Sequence, residues 1–211
     1  MAEEPSAHAD PFSQSKYQVR FDHGAVAASR IADGADIAIW VDALGPAGTR
    51  GEAASDGVLV DAPAPTDAPL GVPRDFLDAL PAQCAVVTSG LVDAPAVAAW
   101  ILAEQERLGR RVYIAIVAAG ESSGAFDAAG VLAAGALVDA LTELGIDDTA
   151  PEAAVTCAAF VGLRRAVGHL VTASGAGRSA VSAGASVEAV RAAGRLGSSS
   201  EVRIVRASDR V

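Results

Sequence analysis

Short apolar runs alternate with longer stretches of helical periodicity through most of this chain. The runs lie at residues 17–22, 36–41, 58–60, 84–88, 111–118 and 202–205, and several are apolar at every position. Such strands are typical of a parallel sheet that is covered by helices on both faces. The alternation therefore predicts an α/β fold, a three-layer α/β/α sandwich with a mainly parallel sheet.

Three helices are predicted between these strands. The clearest covers residues 93–108, where Asp93 is a candidate N-cap, Pro95 falls in the first turn and Gly109 ends the helix. The other two, 128–144 and 151–172, are so rich in Ala and Gly that we expect them to pack closely against the sheet or another subunit. A homo-oligomer is one outcome of such packing.

The 211 residues are enough for one domain with a substantial core. Residues 1–15 are polar and rich in Pro and Ser, so we expect a disordered tail followed by a single domain over 16–211. Residues 45–81 contain many Pro, Gly and Asp residues and are predicted to form loops around the short strand at 58–60.

Charge and cysteine usage restrict the partners and the compartment. A formal net charge of −10 argues against binding to nucleic acid or to an anionic membrane. Cys84 and Cys157 lie within apolar runs, where thiols usually pack as small hydrophobic groups. We find neither a signal peptide nor the roughly 18 consecutive apolar residues of a membrane span. We therefore expect a cytoplasmic protein.

Three carboxylates follow apolar runs, where ligands bind in open α/β sheets. Asp42 and Asp61 come directly after predicted strands, and Glu121 follows the run that ends near Gly120. Mg²⁺ is typically bound by one or two carboxylates together with water and substrate phosphate, so Asp42 and Glu121 are candidate metal ligands and catalytic groups. The alternative is that these carboxylates are solvated strand ends or helix caps.

The segment 119–126 joins a buried strand to a helix and contains two glycines and two hydroxyls. Its residues Gly120, Ser122, Ser123 and Gly124 are candidate substrate-binding residues, because backbone N–H groups in such a loop can surround a phosphate. The loop lacks the Gly-Lys-Ser/Thr ending of a nucleoside-triphosphate site. An ordinary tight turn is the alternative.

A second glycine cluster covers residues 174–180 and formally matches a dinucleotide-binding pattern. The residues before it are predicted to be helical, so we favour an anion contact formed by Gly177 and Arg178. The alternative is that Arg178 is simply a surface arginine. The three histidines, His8, His23 and His169, show no metal-ligand spacing.

Several segments, in order along the chain, resemble the 2-phosphosulfolactate phosphatase family. They are Val-Arg-Phe-Asp-His-Gly at 19–24, Ile-Trp-Val-Asp-Ala-Leu at 39–44, residues 89–98, Val-Ala-Ala-Gly at 117–120, residues 126–137, Ser-Gly-Ala-Gly-Arg at 174–178, Gly184 and Glu188. The resemblance implies a three-layer α/β/α fold and Mg²⁺-dependent hydrolysis of 2-phosphosulfolactate to sulfolactate and phosphate. It also implies a small phosphorylated acid as the partner.

The chain departs from the family pattern at functional positions. Gly45 stands where the family carries an arginine, Ala129 and Gly130 replace a Glu-Asp pair, and Asp93 replaces an asparagine. Asp42 remains, with Glu121, Glu52 and Arg178 as candidate substitutes. Two hypotheses follow: a Mg²⁺-dependent phosphate monoester hydrolase, or a catalytically impaired relative that binds an anion or has a regulatory role.

Overall fold

The computed structural model of the protein describes residues 10–45, 69–120 and 126–208. Five strands are described: β1 (Val19–His23), β2 (Ile37–Val41), β3 (Ala85–Ser89), β4 (Ile114–Ala118) and β5 (Arg203–Arg206). They form one sheet in the order β1-β4-β2-β3-β5. The first four strands run parallel and β5 pairs antiparallel with β3, which confirms the predicted α/β fold with a mainly parallel sheet.

Eight α-helices are described. They are α1 (Ala28–Ile31), α2 (Arg74–Asp78), α3 (Ala94–Leu108), α4 (Ala128–Glu143), α5 (Pro151–Leu163), α6 (Val167–Ala173), α7 (Gly175–Ser182) and α8 (Val187–Ala193). Pro95 lies in the first turn of α3, and Gly109 ends that helix in the left-handed conformation at φ 62°, as its sequence predicts.

Apolar side chains cover both faces of the sheet. On one face Trp40 packs against Phe76 of α2, with Ile31 of α1 in the same cluster. On the other face Ile39 belongs to a larger cluster that includes Leu137 of α4 and side chains of α3, α5, α6 and α8. All residues of β2, β3 and β4 are buried. The sheet is therefore the middle layer of a three-layer α/β/α sandwich.

The predicted strand positions agree closely with the described ones, apart from residues 58–60, which lie outside the described residues. The largest difference is at β4, which begins at Ile114 and not at residue 111. Residues 111–113 lead into the strand, where the carbonyl of Tyr113 accepts hydrogen bonds from the N–H groups of Asp36 and Ile37. The regular pairing of β4 with its neighbouring strands begins only after this junction.

The stretch predicted to be helical over 151–172 is helical throughout, but it is not one continuous α-helix. The chain leaves α5 at Leu163, makes a 3₁₀ turn over Arg164–Ala166 and continues as α6. This turn lets Val167 and Val171 enter the core while residues 161–166 stay exposed. By length and composition only, the stretch Pro151–Ser182 is long and apolar enough to cross a membrane, although charged residues interrupt it before any run of 18 consecutive apolar residues.

Candidate functional site

The four parallel strands end at one edge of the sheet, which we call the carboxyl edge. Its residues are His23, Asp42, Gly90, Asp93, Ala119, Gly120 and Asp127. Two backbone hydrogen bonds fix its centre: the N–H of Asp42 donates to Ser89 at 2.9 Å, and the N–H of Ala119 donates to Val41 at 2.7 Å. The ends of β2, β3 and β4 are therefore held side by side.

Asp42 directly follows β2, as the sequence predicts, and β2 is a central strand because it lies between β3 and β4. Its Oδ1 atom accepts hydrogen bonds from the N–H groups of Leu44 and Gly45, both at 3.0 Å. Within the described part of the chain, Oδ2 accepts none. The turn therefore orients the carboxylate through one oxygen, and the other oxygen remains available to a ligand.

Gly120 lies two residues beyond the end of β4. Because Val41 and Ala118 are paired in the sheet, Ala119 is level with Asp42 and Gly120 directly follows it. The structure thus brings two of the candidate residues to adjacent strand ends. Glu121, Ser122, Ser123 and Gly124 lie outside the described residues, as do Glu52 and Asp61, and their roles stay predictions.

Asp127 is a carboxylate at this edge that the sequence analysis did not single out. Its two oxygens accept the N–H groups of Ala129 at 3.0 Å and Gly130 at 2.9 Å, so it caps the first turn of α4. A β-carbon at residue 130 would lie 2.8 Å from Oδ2 of Asp127 and 3.0 Å from the carbonyl oxygen of Ala119. Asp127 therefore borders the position where the family carries its aspartate. An Asp directly before an Ala-rich helix is the sequence signal for such a cap.

Asp93 occupies the N-cap position of α3, but its side chain does not cap the helix. Oδ1 accepts hydrogen bonds from the N–H group of Gly90 at 2.6 Å and from the hydroxyl of Ser89 at 3.3 Å. The carboxylate is buried and braces the turn that follows β3. The predicted location of Asp93 is correct, whereas the predicted cap hydrogen bond is not formed.

Gly177 and Arg178 lie on α7. The N–H of Gly177 donates to Oγ of Ser174 at 3.0 Å, and a β-carbon at residue 177 would lie 2.1 Å from the carbonyl oxygen of Val171. Gly177 thus has a packing role of its own.

Arg178 lines an open groove of about 350 Å³ together with Thr172, Val181, Ser182, Val187 and Val190. Those lining residues belong to α6, α7 and α8, and none belongs to the carboxyl edge. A shared site between Arg178 and Asp42 stays a prediction.

The described residues contain no group of three or more His, Cys, Asp and Glu side chains that could hold a metal ion. Mg²⁺ needs only one or two protein carboxylates when water and phosphate complete its shell. The Oδ2 atom of Asp42 fits that requirement, and Glu121 is its predicted companion. His23, which is mostly exposed, lies 3.5 Å from the carboxylate of Asp22 on β1, and His169 lies on α6.

No protein-family model matches the chain, and no curated protein matches it. The resemblance to the 2-phosphosulfolactate phosphatases therefore rests on the segments quoted above.

Two of the departures from that family have a local structural basis. Gly45 has φ 69°, a left-handed conformation that strains an arginine. Residue 130 lies in close contact with Asp127 and Ala119, so a larger side chain there would require both neighbours to shift. Both positions thus hold glycines that this backbone specifically accommodates.

Proposed function

We propose that the protein is a Mg²⁺-dependent hydrolase of a phosphate monoester, with 2-phosphosulfolactate as the substrate suggested by the family resemblance. The observation that supports this proposal best is the position and orientation of the Asp42 carboxylate. This carboxylate stands at the end of a central buried strand, is oriented through Oδ1 by two backbone N–H groups, and adjoins the β4–α4 connection. An oriented carboxylate beside a glycine-containing connection is a suitable arrangement for phosphate chemistry.

In this proposal Asp42 and Glu121 would hold the metal ion. Mg²⁺, when bound, supplies positive charge that offsets the charge of the phosphate and of the leaving oxygen. Backbone N–H groups of the 120–124 connection would donate to the phosphate oxygens, with the hydroxyls of Ser122 and Ser123 beside them. Arg178 would supply a second anion contact.

The test is phosphate release from 2-phosphosulfolactate and from an aryl phosphate, with and without Mg²⁺. We expect Asp42→Asn to lower Mg²⁺-dependent turnover by about 10²–10³, because one electrostatic donor or ligand is commonly worth that factor. Asparagine keeps an Oδ1 acceptor for Leu44 and Gly45, so the turn is preserved. Asp147→Asn is the matched control, because Asp147 is exposed near the opposite end of β1, where Asp148 bonds to Val19. Equal turnover in the two variants would refute the role of Asp42.

A catalytically impaired, anion-binding relative is the second candidate function. The specific observation in its favour is the pair of glycines at 45 and 130, whose backbone conformation and surroundings disfavour the side chains that the family uses. This candidate predicts that a phosphorylated acid binds with measurable heat in calorimetry while no phosphate is released in the presence of Mg²⁺.

A further inference from the structure

Helix α5 packs very closely on α4 through one of its faces. Ala153, Thr156 and Phe160 are buried on this inner face. A β-carbon at Gly135 of α4 would lie 2.3 Å from the carbonyl oxygen of Thr156 and 2.7 Å from Cβ of Phe160. The inner face therefore fully accounts for the attachment of α5 to the rest of the chain.

The opposite side of α5 is also apolar. We define its outer face by Ala154, Val155, Ala158, Val161 and Gly162, which follow one another at helical spacing and are all exposed. Val155 is 70% exposed and Val161 is 51% exposed. The chain has no charged residue between Glu152 and Arg164.

A helix that is apolar on all sides is normally buried on all sides. In the most apolar window of the stretch Pro151–Ser182, only 22% is buried within one chain. Contiguous exposed apolar patches on soluble proteins usually mark an interaction surface. The outer face of α5 is therefore an apolar surface that the described residues of a single copy leave exposed.

The outer face is complementary to itself when two copies run antiparallel. Counting outward from Ala158, Ala154 on one helix comes level with Gly162 on the other, and Val155 comes level with Val161. Small residues thus meet at and around the axis, where they let the two helices approach closely, and the valines meet each other beside them.

The charges at the two ends of this face agree with the same arrangement. Glu152 is exposed in the first turn of α5, and Arg165 is exposed just beyond its last turn. The antiparallel arrangement brings Glu152 level with the partner's Arg164 and within one residue of the partner's Arg165, and the symmetry repeats this juxtaposition at the other end. A parallel arrangement would instead bring like charges together.

We propose that two copies of this chain form a dimer through the outer face of α5, antiparallel about a twofold axis at Ala158. The proposal is independent of the function proposed for the carboxyl edge, because none of the residues that carry it belongs to that edge.

Sedimentation velocity of the full chain at physiological salt tests this dimer. We expect a species of twice the 21.1 kDa of one chain, which dissociates on dilution. Ala158→Arg buries a charge on each side of the axis and is expected to weaken association by on the order of a hundredfold or more. Ala99→Arg is the matched control, because Ala99 is an exposed alanine within α3, and it should leave association unchanged. Circular dichroism verifies that both variants are folded.

Charge reversal provides a second readout that does not rely on a disruptive substitution. Glu152→Arg and Arg165→Glu should each weaken the dimer, and the double variant should recover most of the loss. A wild-type chain that stays monomeric at every concentration would overturn the proposal, and so would a dimer that is insensitive to Ala158→Arg. A monomer that co-sediments with phosphatidylcholine vesicles would assign this face to a membrane instead.

Discussion

Gly135 of α4 lies so close to Thr156 of α5 that a β-carbon at residue 135 would stand 2.3 Å from the Thr156 carbonyl oxygen. Backbone atoms cannot rotate away as a flexible side chain can, so the two helices must separate to admit a methyl group. We expect Gly135→Ala to lower the free energy of unfolding by about 1–3 kcal/mol, even though alanine is the better helix former. Urea unfolding at a fixed protein concentration measures this loss.

Gly168→Ala is the control for that measurement. Gly168 lies within α6, and the nearest atom to its new β-carbon would be the Gly194 carbonyl oxygen at an ordinary 3.9 Å. Its substitution should therefore be neutral or stabilising by about 0.5–1 kcal/mol. If both variants unfold at the same urea concentration, α4 and α5 are less tightly packed than described.

The second prediction concerns Arg20, a buried cation in β1. Its guanidinium donates to the backbone carbonyls of Ser15, Tyr17, Ile31 and Asp33 at 2.6–3.1 Å. Burial lowers the pKa of Arg20 from its ordinary value, but an arginine remains protonated at any physiological pH. Lysine cannot reach four carbonyls from one planar group, so Arg20→Lys should lower the unfolding free energy by about 2 kcal/mol or more.

Arg30→Lys provides the comparison for Arg20→Lys in the same thermal or urea unfolding experiment. Arg30 pairs with Asp22 at 2.7 Å, but its side chain is 43% exposed. Exposed ion pairs contribute little, so the expected loss is below about 1 kcal/mol. Similar losses for the two variants would contradict a structural role for the carbonyl contacts of Arg20.

The sequence predicted the strands well because buried parallel strands are apolar on both faces and need no tertiary information to be recognised. The apolar pattern could not predict that α5 ends before Arg164, because the turn there is stabilised by the burial of Val167 and Val171, which follow it. Nor could it predict the packing role of Gly177, which depends on the carbonyl of Val171 in the preceding helix. Such close approaches depend on three-dimensional packing and leave no periodic signal in the chain.

The candidate site, like the fold, could be predicted from the sequence only in part. Asp42 was located correctly because a polar residue directly after a central strand must lie at the carboxyl edge. The position of Asp127 beside residue 130 was not predicted, because it depends on how the first turn of α4 meets the end of β4. The position of a residue directly after a strand thus predicts that it lies at the carboxyl edge. The packing of the following helix determines which residues of that edge lie next to one another.

The third prediction concerns Thr88 of β3, whose hydroxyl is fully buried and has no hydrogen-bond partner among the described residues. A buried hydroxyl without a partner costs free energy that valine, with nearly the same shape, avoids. Thr88→Val should therefore stabilise the protein by about 1 kcal/mol in urea unfolding. Thr156→Val is the control and should destabilise it, because the Thr156 hydroxyl donates to the Glu152 carbonyl at 2.8 Å. Lower stability of Thr88→Val would mean that Thr88 has a partner in solution.

The last prediction concerns the reactivity of Cys157, which is partly buried on α5. Burial raises the pKa of its thiol above the ordinary value, the carboxylate of Asp139 raises it further, and Arg164 acts in the opposite direction. The folded state therefore favours the neutral thiol, and the stability this contributes is lost as pH rises through the raised pKa. Because only the thiolate is nucleophilic, alkylation by iodoacetamide should be slow at pH 8, and its rate should rise with pH to a midpoint above that of a free thiol.

Asp139→Asn removes the negative charge that pairs with Arg164, so it should lower this midpoint and accelerate labelling. Cys157→Ser should abolish the labelling, since Cys84 is fully buried. Rapid labelling of the wild type at pH 8, or no change in Asp139→Asn, would contradict the electrostatic environment described for this thiol.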